Sequence, residues 1–170
     1  GYWKHIAETG KYLWRRPFLV NIIFFAVILG ASLILIDEYA QLYFIGVGVP
    51  VFALGYLAAV GNGIEAIAGK FAYRLSQFSR KKVFAFAIAT SAIGFVIVGL
   101  TNSWYGVPFA FLPLLAYYFV YPLALNDLHN ELPSGQRATG ESFMSLLRGI
   151  VFIPLAFGFA NVADRVSIAM

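Results

Sequence analysis

The hydrophobic positions of this chain fall into five long blocks, read by where charge is absent: roughly 18–36, 49–73, 83–101, 104–125 and 143–163. Each is close to the ~20 residues that cross a bilayer as a helix. The pattern predicts an all-α, polytopic transmembrane helix bundle of five spans. Residues 1–17 form a leader, 18–163 the bundle, and 164–170 the start of a loop on the far side. The most secure stretch is 83–126, which runs 44 residues without a charge. As a single helix it would reach about 66 Å, so it must fold into two spans. Thr101-Asn102-Ser103 supplies the break, with polar side chains able to cap helix ends, and Trp104 and Tyr105 suit the interface. Pro50 fits the first turn of the second helix, and Gly46 and Gly48 make a tight connection before it. The longest polar stretch, 126–140, contains the turn signal Pro133-Ser134-Gly135.

Small residues suggest how the spans meet. Gly55, Ala59 and Gly63 recur at a spacing of four, which puts them on one face and lets a neighbouring helix approach closely. Ala85 and Ala89 repeat the pattern in the third span. The fourth holds Pro108, Pro113 and Pro122, each lacking a backbone donor, so a kink is expected there.

Charge adds an orientation. Lys4, Lys11, Arg15 and Arg16 precede the first span; Lys70, Arg74, Arg80, Lys81 and Lys82 surround the connection between the second and third; Arg137 precedes the fifth. The other connections hold Asp37 and Glu38, no charge at all, and Asp164–Arg165. Short cytoplasmic loops retain Lys and Arg, so the N-terminal end is expected in the cytoplasm, with the chain in a cytoplasmic (inner) cell membrane. Composition agrees: 61% of residues are hydrophobic and 12% charged, with a mean hydropathy of +0.78. A soluble domain is about half apolar and a quarter charged. The net charge of +4 does not indicate nucleic acid, because the basic residues sit at segment ends and form no continuous face. There is no Cys, which removes disulfides, thiolate metal sites and Cys nucleophiles. The chain opens at Gly1 without an initiator Met and has an odd number of spans, so it is expected to be part of a longer protein.

Glu65 and Arg148 fall inside spans, where a charge is costly enough to be a functional lead. Glu65 is about eight residues, or ~12 Å, from the inner end of its span, and Arg148 about six residues, or ~9 Å, from the start of its own. At similar depths, the two are expected to face a polar cavity and pair, directly or through water. The alternatives are a snorkelling Arg148 and a Glu65 that carries protons, pairs structurally or lies at the interface. Catalytic chemistry is nearly absent. His5 and His129 both fall in predicted cytoplasmic segments, and Asp127-x-His129-x-Glu131 reads as a solvated loop or short surface helix. No nucleophile elbow or phosphate-binding Gly loop is present, so neither an enzyme nor any metal or cofactor is expected.

The run Pro133-x3-Arg137-Ala138-Thr139-x2-Ser142-x5-Arg148-x5-Pro154-x3-Gly158-x5-Asp164 resembles the loop and eleventh helix of major facilitator superfamily (MFS) transporters. Residues 41–55, with Gly48-Val49-Pro50, look like the start of their eighth helix. Gly69-x3-Tyr73-Arg74 followed by Arg80-Lys81-Lys82 is similar to the second copy of the family's cytoplasmic loop motif. Tyr73 departs from that motif, which prefers an acidic residue there, and the basic residues come a few positions late. The resemblance implies that the five spans are helices seven to eleven of a twelve-helix fold, with the leader as the linker between halves and an N-terminal six-helix half as partner. It implies alternating access of a small solute in secondary active transport, with proton-coupled efflux as one form. The implied solute or ion pathway takes in Asn21, Asn62, Glu65, Tyr117, Tyr121 and Arg148, and the implied loop motif Gly69, Arg74, Arg80 and Lys81. Tyr117 and Tyr121 share a helix face, for which simple packing is the alternative. The rival to transport is a stand-alone small membrane protein with a structural or assembly role.

Overall fold

The computed structural model describes residues 10–12, 15–101 and 103–166, with side chains as far as Asn161. Lys4, His5, Asn102 and the side chains of Asp164 and Arg165 therefore lie outside the described residues. The described chain is helical with no strand, and five segments are long and apolar enough to cross a membrane. They are built on α1 (Pro17–Gly46), α2 (Leu54–Ala72), α3 (Arg80–Leu100), α4 (Leu112–Glu131) and α5 (Arg137–Val166). Short 3-10 helices extend them: Val51–Ala53 leads into α2, Tyr73–Gln77 follows it, Trp104–Phe111 leads into α4 and Ser134–Gln136 into α5.

α1 starts with Pro17 in its first turn, where the missing N–H costs nothing. It does not end where the apolar block does. Its 30 residues carry it through Asp37 and Glu38 to Gly46, about 45 Å in all. The acidic pair closes the apolar block without closing the helix, because no Gly or Pro occurs between it and Gly46. The stop comes from the backbone. Gly48 takes φ +89°, and the Val47 and Val49 amides donate to the carbonyls of Tyr43 and Phe44 at 3.0 and 2.9 Å.

The proline-rich fourth segment divides by helix type. Pro108 sits in the 3-10 stretch, whereas Pro113 opens the α-helix at its first turn and Pro122 lies inside it. Thr101 and Ser103 do mark the turn, yet no side chain of theirs caps a helix. Instead the Tyr43 hydroxyl of α1 donates to the Thr101 carbonyl at 3.0 Å, so the turn is tied from outside. A methyl on Gly106 would collide with that hydroxyl.

α1 and α4 form the centre. Leu19, Ile22, Ile23 and Ala26 of α1 and Val120, Leu123 and Leu128 of α4 belong to one buried cluster. α3 and α2 pack on α4, and α5 packs on α1. Half of the best apolar window is buried in the segments of α1 and α4, but only 6% in those of α2 and α5. The two outer helices therefore present most of their surface outward. The small-residue faces differ from expectation for the same reason. Gly55, Ala59 and Gly63 are exposed, and nothing lies within 4 Å of where a Cβ on either glycine would sit. Ala85 and Ala89 also point outward; the close approach of α3 to α4 runs instead through Ala87, Ser91 and Gly94. A Cβ on Gly94 would come 2.8 Å from the Phe109 carbonyl oxygen and from Pro113 Cδ. Spacing finds helix faces, but it does not say which of two equivalent faces a neighbour takes.

Candidate functional site

Arg148 enters a narrow cavity between α1, α4 and α5, bounded by Ala26, Val27, Tyr117, Tyr121, Met144 and Ser145. Its enclosed part is about 10 Å³, room for about one water. Arg148 Nη1 donates to the Tyr117 hydroxyl at 2.8 Å. Tyr117 is buried and stacks on Tyr121, with ring centroids 5.1 Å apart and an interplanar angle of 23°. The i, i+4 spacing of these tyrosines produces that stack, so packing and cavity lining are both true of them. Gly30 of α1 makes the crossing possible: a Cβ there would lie 2.7 Å from Arg148 Cδ and 3.0 Å from Tyr117 Cε2.

Glu65 reaches the same layer from the other side. It is exposed on α2, beside the Tyr118 phenol and within electrostatic reach of Asp37. Tyr118 meets Tyr117 edge-on at 5.3 Å. The order is thus Glu65, Tyr118, Tyr117, Arg148, across α2, α4 and α5. Among the described residues no ion pair joins Glu65 to Arg148; two adjacent tyrosines stand between them. Measured along their helical segments, Glu65, Tyr117 and Arg148 each sit about 16–21 Å from the inner ends, well inside segments of membrane length. Asn21 on α1 and Asn62 on α2 are both exposed, and neither lines the Arg148 cavity.

At the inner end, the residues read as a solvated Asp127-x-His129-x-Glu131 segment form the last two turns of α4, and each meets a different element. Asp127 receives two hydrogen bonds from Arg80 at the start of α3, from Nε at 2.6 Å and from Nη2 at 2.8 Å. His129 Nε2 lies 2.5 Å from Glu141 Oε1 of α5. Glu131 pairs with Arg16, just before α1, while its carbonyl accepts from the Tyr12 hydroxyl at 2.9 Å. Arg16 also stacks over the Tyr12 ring at 4.7 Å. One helix end thereby ties the starts of three others. Of the loop-motif residues, only Arg80 enters this network. Arg74 lies over the Phe71 ring at 4.8 Å and donates to the Tyr73 hydroxyl at 3.3 Å, and Gly69 and Lys81 are exposed. The described residues contain no group of His, Cys, Asp and Glu placed to hold a metal ion.

Five membrane-length helices packed as neighbours, with paired charges gathered at one end, are those of a multi-pass membrane protein. The chain belongs to the MFS_1 like family, whose model matches residues 4–152. The family groups membrane transporters, as the resemblance of the Pro133–Asp164 run implies. No curated protein and no solved structure matches the chain.

Proposed function

We propose that this chain is helices seven to eleven of a twelve-helix secondary active transporter, which moves a small solute by alternating access and is driven by an ion gradient. The observation that carries the reading is the outward face of α2. Gly55, Ala59, Asn62 and Gly69 share one side of that helix with Glu65 at its edge, in the middle of a membrane-length segment that is almost uncovered. Lipid is a poor neighbour for such a face, since an exposed carboxylate in hydrocarbon costs several kcal/mol. Water in a central cavity, together with a second six-helix half approaching the glycines, accommodates it. The basic residues favour a cytoplasmic inner end, because the termini carrying Arg15, Arg16, Arg74, Arg80, Lys81, Lys82 and Arg137 lie together.

Glu65 is the residue assigned to carry the proton, with export as the direction that proton antiport would give in an inner membrane. In proteoliposomes containing the full-length protein, solute flux should follow an imposed pH gradient, and Glu65→Gln should abolish the gradient dependence while leaving exchange of solute for solute. Flux indifferent to the gradient in the wild type would remove the proton, and a Glu65→Gln variant that stays fully coupled would remove Glu65. Absence of any solute flux from a well-folded preparation would instead favour a structural or assembly role.

A further inference from the structure

The cavity between α1, α4 and α5 holds a cation that the fold positions without neutralising. Arg148 is fixed by one neutral partner, the Tyr117 hydroxyl, and by the space left at Gly30. Among the described residues no carboxylate oxygen lies within 4 Å of its guanidinium and no second acceptor bonds to it. Four of the five N–H donors of an arginine are then unused. They are not sealed away either. The buried side-chain polar atoms left without a partner among the described residues are Ser91 Oγ and Gln136 Oε1, neither in this cavity. The unpaired guanidinium nitrogens therefore keep some exposure, in a cavity that Tyr121 and Ser145 also line.

A positioned but uncompensated guanidinium inside a helix of membrane length is expensive. It is also the geometry that a planar oxyanion completes, because two parallel N–H groups match a carboxylate. The stacked Tyr117–Tyr121 pair beside it supplies a flat apolar wall, and the Ser145 side chain a further polar contact at the rim. We propose that the solute is a small organic carboxylate whose head group docks on Arg148 from the open rim of the cavity, outside its one-water interior, and whose apolar body lies against the partly exposed Tyr121. This assignment rests on the transport reading, and it names the solute class that the reading leaves open. Glu65 does not supply the missing charge, since Tyr118 and Tyr117 lie between it and Arg148.

The test uses the full-length protein in detergent and pairs of isosteres: benzoate with benzamide, and 3-phenylpropionate, hexanoate and succinate each with the corresponding amide. At least one carboxylate should bind saturably by calorimetry, and its amide at least about 30-fold more weakly, as expected for loss of a desolvated charge-assisted contact. Arg148→Gln should weaken that carboxylate by a similar factor. Arg148→Lys, which keeps the charge but not the fork, should lose less, about 10-fold. Tyr117→Phe keeps the cation and removes only its positioning hydroxyl, so it should weaken the carboxylate alone and guards against a misfolded Arg148 variant; the unfolding midpoint is followed for each. Amides binding as well as carboxylates, or carboxylate binding untouched in Arg148→Gln, would overturn the assignment. Reconstituted protein that moves amides or amines but not carboxylates would leave the transport reading standing and remove the carboxylate. Carboxylates that bind through Arg148 yet are never moved would do the reverse.

Discussion

Replacing Gly94 with Val should lower the stability of the bundle by more than about 3 kcal/mol. The contact it disturbs is between backbones. A Cβ at position 94 would lie 2.8 Å from the Phe109 carbonyl oxygen, 2.8 Å from Pro113 Cδ and 3.1 Å from Leu112 Cβ. None of these atoms is the end of a flexible side chain. Phe109 belongs to the 3-10 stretch held between Tyr43 and the start of α4, and the Pro113 ring fixes its own φ. The strain can be relieved only by moving α3 off α4. Overpacking of this kind costs about 1–3 kcal/mol, occasionally more, so Gly94→Ala should fall in that range and Gly94→Val above it. Gly99 is the internal control: nothing lies within 4 Å of its Cβ position. There, Gly→Ala should be neutral or raise stability by up to about 1 kcal/mol through helix propensity. Unfolding midpoints of the detergent-solubilised variants compare the two, and equal behaviour at both positions would mean that α3 and α4 do not meet at Gly94.

Asp127→Asn should have the second large effect. Asp127 and Arg80 are joined by two charge-assisted hydrogen bonds, and their side chains are only 11% and 21% exposed. Removing one partner leaves the other charge mostly desolvated, a loss of about 2–4 kcal/mol at this degree of burial. Arg80→Gln should cost a similar amount, and the double variant little more than either single one, because the stranded charge is gone. The Arg16–Glu131 pair makes the contrasting case. It is 45% and 37% exposed, and its rupture should change stability little. A double-mutant cycle on purified protein measures both. Additive losses at Arg80 and Asp127 would show that the two side chains act separately.

The helix count, the class and the family are legible in the sequence, because charge-free blocks of membrane length are a strong signal and several motifs along the chain, each moderately specific, point to one family. Helix ends are less so. The apolar block of α1 stops before Asp37, but the helix runs on to Gly46 and stops where Gly48 allows a positive φ. Arg148, Tyr117 and Tyr121 stand out by charge inside a span and by i, i+4 spacing, and they do meet in one cavity. Gly30 has no such signal, since its role depends on what crosses it from α5 and not on any neighbour in sequence. The inner network is half visible: acids facing a side rich in basic residues are a pairing signal, and a solvated segment is the weaker interpretation. Glu65 and Arg148 lie in one layer as their depths suggest, but depth says nothing about the two tyrosines that separate them.

Whether the Arg148 cavity faces water from each side of the membrane in turn can be read from a single cysteine. This chain contains none, so Ser145→Cys at the cavity rim gives one reporter once any cysteine elsewhere in the full-length protein is replaced. A membrane-impermeant maleimide, applied to right-side-out and to inside-out vesicles, should label the introduced thiol from both sides. An imposed pH gradient or bound carboxylate should raise labelling from one side as it lowers it from the other. Labelling confined to one side under every condition, or absent from both, would contradict alternating access at this site.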